Sequence, residues 1–194
     1  MIIRKEYNFE NAHIVRECST LRCSQNIHGH SYRVEIKIES NFLDNAGMVL
    51  DFGLIKISIK DIIESFDHSI TLWSKDDQEY IKFAKKFNQR YVVLPVNPSV
   101  EQFCRVFFLA VDRILEQTKF INGEKNVKLH SIIVHETATG YAECFREDAY
   151  NFKNMGEIDL KDIEFSNAIK NDWKDKNLWR KILNNGIFIN PKSV

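Results

Sequence analysis

Three features of this sequence predict an α+β domain. Residues 3–13 and 28–39 alternate apolar and polar side chains with the period of a half-buried strand, and shorter runs at 127–137 and 142–145 read the same way. Between these runs, apolar residues recur at helical spacing. Antiparallel hairpins with their helices grouped together make an α+β arrangement.

Taken in order, the first run sets Ile3, Tyr7, Phe9 and His13 on one face and Arg4, Glu6, Asn8 and Glu10 on the other. Residues 14–27 read as a loop. The second run carries His28, His30, Tyr32, Val34, Ile36 and Ile38 on one face, with Gly29, Ser31, Arg33, Glu35, Lys37 and Glu39 opposite. Asn45-Ala46-Gly47 marks a turn, after which Met48 to Leu50 reads as a further hairpin partner. Residues 51–66 switch to helical period through Ile55, Ile59, Ile62, Ile63 and Phe66, and a second helix is expected near 76–88. Tyr91 to Pro95 reads as a short strand. Ser99 and Gln102 have the spacing of a capping box and open a long helix with Val100, Phe103, Phe107, Ala110, Val111 and Ile114 on one face. Two strands joined at Gly140 follow, giving the order ββααβαββ. Beyond about residue 150, Trp173, Leu178, Trp179 and Ile182 stand among many charges, and two short helices docked on the body are expected. The division read is therefore 1–149 for the main domain and 150–194 for a helical extension packed on it.

With 194 residues, one domain with a sizeable core is expected. The 27 basic residues equal the 27 acidic ones, so the basic excess of a nucleic-acid or anionic-membrane binder is missing and any anion site must be local. The first residues lack the apolar stretch of a signal peptide, and no run has the length of a membrane span. Four cysteines make no disulfide framework, and their spacing does not form a zinc ribbon, so a reducing, cytoplasmic setting is expected.

The chemistry concentrates at His28-Gly29-His30. On a strand, residues i and i+2 point to one side, so both imidazoles reach one metal, and Gly29 admits close approach of other backbone. A lone pair of this kind is commonly two surface histidines. The third, His13, ends the apolar face of the first strand just where His28 begins that of the second. If the two strands pair across the 14–27 loop, three neutral imidazoles converge and leave a fourth position open, as in a catalytic zinc site. Cys23 and Cys18 in that loop are equal candidates for a reactive thiol, each with a buried or incidental role as the plainer alternative. Asp67-His68 pairs a carboxylate with an imidazole whose tautomer it can set, and Glu136 puts a carboxylate on the apolar face of a strand, where it needs an N–H partner.

In order along residues 1–147 come Phe9-Glu10-Asn11-Ala12-His13, Cys23, His28-Gly29-His30-Ser31-Tyr32, Gly47-Met48-Val49-Leu50-Asp51-Phe52 with Lys56, Asp67-His68, Asn97-Pro98-Ser99-Val100-Glu101 and His135-Glu136-Thr137. This series resembles the 6-pyruvoyltetrahydropterin synthase and 6-carboxytetrahydropterin synthase family. The resemblance implies the tunnelling fold (T-fold): a four-stranded antiparallel sheet with paired helices on one face, assembled edge to edge into barrels, two rings making a hexamer with active sites between subunits. It also implies Zn2+ on His13, His28 and His30, a catalytic Cys23 with Asp67 and His68, and a pterin anchored by Glu136 with Ser99, Glu101 and Thr137 beside it. Cys23 stands five residues before His28, between the spacings common in the two branches, and the insertion at about 71–96 is long.

By the same resemblance the substrate is 7,8-dihydroneopterin triphosphate. The carboxy branch releases acetaldehyde and triphosphate on the way to the 7-deazapurine queuosine, and the pyruvoyl branch releases triphosphate alone. The loop before His28 lacks the Asn-rich character of the pyruvoyl type, which favours the carboxy branch. A zinc-binding scaffold that holds a pterin or purine without turnover is the alternative from another class. Arg16, Arg22 and Lys56 are the candidate cations for the triphosphate.

Overall fold

The computed structural model describes residues 1–53 and 55–190. Leu54, inside the helix expected over 51–66, and the last four residues of the 150–194 segment lie outside the described residues. The chain opens with a long hairpin. Strand β1 (Ile2–His13) and strand β2 (His28–Glu39) pair antiparallel from Ile2 opposite Glu39 to His13 opposite His28, with the short helix α1 (Leu21–Ser24) in the loop between them. Alternation sends Tyr32, Val34, Ile36 and Ile38 into the core, each essentially inaccessible to water.

The segment 51–66 is helical but not uniformly α. Residues Ile55–Ile59 form a turn of π-helix that leads into α2 (Lys60–Glu64). The expected strand at Met48 to Leu50 is corrected. Asp44 Oδ1 accepts the N–H groups of Ala46 (2.9 Å) and Met48 (2.7 Å), so the chain is closed into a side-chain-capped turn there, with Gly47 at φ +76°.

Strand β3 (Ser69–Trp73), helix α3 (Gln78–Phe87) and strand β4 (Tyr91–Leu94) make a parallel crossover unit. Asp77 caps α3 by accepting the N–H groups of Glu79 and Tyr80. Helix α4 (Val100–Glu116) is capped by Ser99, whose hydroxyl accepts the Gln102 N–H at 3.4 Å. It lays Phe103, Phe107, Val111 and Ile114 against the inner face of the sheet. Each such side chain, fully buried, contributes about 1.5–3 kcal/mol, far more than local propensity supplies over the same turn. Phe9, Phe66, Phe103 and Phe107 pack edge to face at centroid separations of 4.8–6.2 Å around the hairpin's end.

Then follow β5 (Thr118–Phe120), β6 (Lys128–His135), β7 (Tyr141–Cys144) and α5 (Arg146–Ala149). After residue 150 come α6 (Phe152–Met155), a 3-10 turn at Leu160–Asp162, β8 (Glu164–Phe165), α7 (Asn167–Asp172), α8 (Leu178–Leu183) and β9 (Phe188–Asn190). Phe165, Ile169, Trp173, Leu178 and Ile182 bury into the same core as the hairpin and α4.

The main sheet has seven strands in the order β7-β6-β2-β1-β3-β4-β8. The four-stranded antiparallel sheet expected from the sequence is present as β7-β6-β2-β1, but it is not the whole sheet. The insertion adds β3 and β4 as parallel strands, joined to β1 only at Asn11 and Ala12, and β8 closes the far edge antiparallel to β4. The segment after 150 is likewise not purely helical, since β8 joins this sheet and β9 pairs with β5.

Candidate functional site

The hairpin register creates the site. His13 stands directly opposite His28, and Asn11 opposite His30, so all three imidazoles lie at the loop end of the hairpin. Ring centroids are 4.6 Å apart for His13 and His28, 5.4 Å for His13 and His30, and 5.2 Å for His28 and His30. One nitrogen from each lies within 4.8 Å of the others, close enough to hold one metal ion. A Cβ on Gly29 would meet the Asn11 carbonyl oxygen at 3.0 Å, so glycine permits this approach of the two strands.

Two carbonyls fix the ring tautomers. His13 Nδ1 lies 2.7 Å from the Pro98 carbonyl and His28 Nδ1 lies 3.1 Å from that of Asn26. A carbonyl oxygen only accepts, so each Nδ1 carries the hydrogen and each Nε2 keeps its lone pair, as a metal ligand requires. Burial pushes the His13 imidazole down to about 4, partly opposed by its bond to Pro98 and aided by the charges of His28 and His30. His30 is lowered too, chiefly by burial, with Glu136 opposing. These rings are therefore neutral donors at neutral pH, and the donor set suits a divalent metal such as zinc.

Glu136, just past the end of β6, faces the same centre. Its Oε1 lies 3.7 Å from His30 Nε2 and 3.9 Å from His13 Nε2, and it accepts a hydrogen bond from the Tyr32 hydroxyl at 3.2 Å. Burial first, and the Glu136 charge second, raise the Tyr32 phenol well above its ordinary value, so it stays a donor. The sequence sets Tyr32 on the face of His28 and His30 and within the motif that follows them, but assigns it no task. The signal for its role was its place two residues beyond His30, on the face the histidines share. Phe103, stacked on His13 at 6.0 Å, and the Pro98 carbonyl are further parts of the site that spacing did not reveal.

The Asp67–His68 turn lies beside β1 at Glu10. His68 Nδ1 lies 2.9 Å from Asp67 Oδ2, and Asp67 Oδ1 accepts the Glu10 N–H at 2.8 Å. His68 has φ +48°, in the left-handed region that few residues other than glycine adopt. A groove of about 480 Å³ is lined by His30, Ser31, Glu10, His68 and Asn88 among others, so His30 and His68 border one space.

The other expected residues are placed less centrally. Thr137 spends its hydroxyl on the N–H groups of Thr139 and Gly140, closing the turn after β6, while Ser99 caps α4 and Glu101 stands exposed in the first turn of that helix. Cys23 lies half-buried on α1 and is neither among the converged metal donors nor in the lining of the groove. The Cys18 thiol donates to the Thr20 carbonyl at 3.2 Å, and the Thr20 hydroxyl draws its ionisation down, helped by Cys23 and Ser24 nearby. Arg16, a candidate for the triphosphate, is engaged with Asp76 (2.9 Å) and the Ser24 carbonyl.

Comparison with known proteins points one way. The family model described as 6-pyruvoyl tetrahydropterin synthase matches residues 2–147. A 6-carboxy-5,6,7,8-tetrahydropterin synthase of Helicobacter pylori is 43% identical over 185 residues, covering 94% of this chain and 92% of that protein. One of the same description from Aquifex aeolicus is 32% identical over 126 residues, covering 63% and 75%. Among solved structures, an uncharacterized protein from Wolinella succinogenes superposes with a TM-score of 0.57 at 20% identity, over 76% of this chain and 98% of that one. The 6-pyruvoyl tetrahydropterin synthase of Plasmodium vivax superposes with a TM-score of 0.55 at 19% identity, over 75% and 98%. At such identities these two structures speak for the fold alone.

Proposed function

The chain belongs to the 6-pyruvoyl tetrahydropterin synthase family, and on that premise we propose that it is a 6-carboxy-5,6,7,8-tetrahydropterin synthase. It converts 7,8-dihydroneopterin triphosphate and water to 6-carboxytetrahydropterin, acetaldehyde and triphosphate, a step toward queuosine. The observation that carries this choice of branch is the 43% identity to the Helicobacter pylori protein of that name, which spans 94% of the chain and so takes in most of the segment after 150.

The residues have distinct tasks. His13, His28 and His30 hold zinc, which when bound supplies Lewis acidity for the oxygens of the substrate side chain. Glu136 accepts the two adjacent N–H donors on the amino-oxo edge of the pterin, which a carboxylate matches, and Tyr32 keeps that carboxylate aimed. Ser99, Glu101 and Thr137 border the ring. Cys23 as thiolate accepts a side-chain proton, and His68, oriented by Asp67, exchanges a second proton. Four free thiols suit a reducing, cytoplasmic setting.

The enzyme is a homohexamer with its sites between subunits. The support for this is a pair of unsatisfied strand edges. Strand β7 ends the main sheet, and β1 pairs with β3 only at Asn11 and Ala12, leaving Ile2–Phe9 without a paired strand on that side among the described residues.

Product analysis tests the assignment. Incubation with 7,8-dihydroneopterin triphosphate is expected to yield equal amounts of acetaldehyde and 6-carboxytetrahydropterin. A pyruvoyl pterin without acetaldehyde would move the enzyme to the other branch, and bound but unchanged pterin would make it a scaffold.

A further inference from the structure

The Asp67–His68 turn is gripped on two sides. From β1, the Glu10 carbonyl accepts the His68 N–H at 2.8 Å, and the Asn11 side chain donates to the Phe66 carbonyl at 2.9 Å. From the other side comes Arg90, the residue before β4. Its Nε donates to the Asp67 carbonyl at 3.0 Å and its Nη2 to the Glu64 carbonyl at 3.1 Å, which ties the end of α2 to the turn. Its remaining arm, Nη1, is ion-paired with Asp172 at the end of α7. The next two residues act on the same stretch: Trp173 Nε1 donates to Ser65 Oγ at 2.8 Å, and the Lys174 N–H donates to Asp61 Oδ2 at 2.8 Å. Three successive residues of the C-terminal segment thus bear on residues 61–67.

Behind the turn lies a cavity of about 370 Å³, lined by His68, Arg90, Asp172 and Trp173 among others. The turn, with His68 at φ +48°, is held through its main chain by the Glu10 carbonyl on the His68 N–H and by Arg90 Nε on the Asp67 carbonyl. An arginine suits the task because its planar fork serves two carbonyls and a carboxylate at once, which a lysine's single nitrogen does not match.

We propose that Arg90, held by Asp172, is a positioning residue for His68, and that the C-terminal segment acts on the reaction by fixing the Asp67–His68 turn. The inference rests on His68 having the proton-transfer role assigned above. It makes the segment after 150 part of the catalytic apparatus, though none of its residues named here touches substrate.

Steady-state kinetics of the full-length protein test it with Arg90→Lys, Asp172→Asn, His68→Ala and the two doubles with His68→Ala. Asp172 is exposed, so its variant is expected to fold, and melting curves verify this. Arg90→Lys and Asp172→Asn are each expected to lower kcat by about tenfold, the scale of a small misplacement of a reacting group, with KM and bound zinc unchanged. Neither is expected to reduce further the residual rate of His68→Ala, because a residue that acts through His68 has nothing left to position. An equal further reduction in that background would mean the contacts only hold the fold, and overturns the proposal. Wild-type kcat in both single variants beside a slow His68→Ala overturns the positioning role and leaves His68 in place. Wild-type kcat in His68→Ala removes the role of His68 itself, and the positioning role with it.

Discussion

His13 is the most constrained of the three clustered histidines: fully buried, bonded through Nδ1 to the Pro98 carbonyl and flanked by Phe103. His28 stands opposite it and is the second donor of the proposed ligand set, so its loss leaves only two imidazoles at the centre. His28→Ala is expected to carry almost no metal after dialysis, measured by atomic absorption, while full stoichiometric retention would disprove the ligand set. The thiols allow a finer test. Cys23→Ala is expected to bind metal and pterin normally, because neither the histidines nor Glu136 changes, and to lose turnover by roughly two to four orders of magnitude. Cys18→Ala is expected to change little. The reverse pattern would assign the chemistry to Cys18, whose thiol is drawn toward ionisation by Thr20, and near-normal turnover in both would remove thiol catalysis. The histidines were legible because strand periodicity puts i and i+2 on one side, and only the register had to be supplied by pairing. The thiol was less legible, since a loop has no periodicity to say where a side chain points. The carbonyls of Pro98 and Asn26 could not be read at all, because main-chain acceptors carry no residue signature.

Helix α4 does more than cover the sheet. Arg105, on its buried face, donates to the carbonyls of Asp148 (3.1 Å), Ala149 (3.3 Å), Gly156 (2.8 Å) and Met155, and to Gln102 Oε1 (2.8 Å). One side chain thereby satisfies four main-chain acceptors along the stretch that leaves the core and starts the C-terminal segment. Arg105→Met is expected to destabilise the protein by about 2–4 kcal/mol, since a buried acceptor left without a donor costs about 1–3 kcal/mol and some gain water. Urea unfolding measures the loss, and hydrogen exchange is expected to rise over residues 148–156; an unchanged midpoint would show that water replaces the guanidinium without cost. At this scale the sequence was informative wherever one period ran unbroken, as in β1, β2 and α4. It was less so at Met48 to Leu50, where apolar residues suggested a strand but the Asp44 carboxylate captures the N–H groups a ladder would need. The π-turn at Ile55–Ile59 likewise lies inside a stretch whose apolar spacing read as one continuous helix.

The whole chain shows two additions to a four-stranded antiparallel core, one inserted after β2 and one appended after β7, and they meet where β4 pairs with β8. That meeting was hidden in the sequence, because a two-residue strand such as β8 has no periodicity to detect. The free edges of β1 and β7 lead to an assembly prediction: sedimentation of the intact protein is expected to show a species of about six chains, by closed symmetry, and a fully active monomer would refute it. The pairing of His13 with His28 ties this architecture to the metal. A slip of one residue between β1 and β2 would turn every side chain of one strand to the other face and part His13 from His28 and His30, so an ion held by all three would bind only the native register. Metal occupancy is then a thermodynamic clamp on the hairpin: at a free concentration one hundred times its Kd it adds about 2.7 kcal/mol to stability. Chelation is accordingly expected to loosen the loop end of the β1–β2 hairpin, where a bound ion would act as a proofreader of strand alignment.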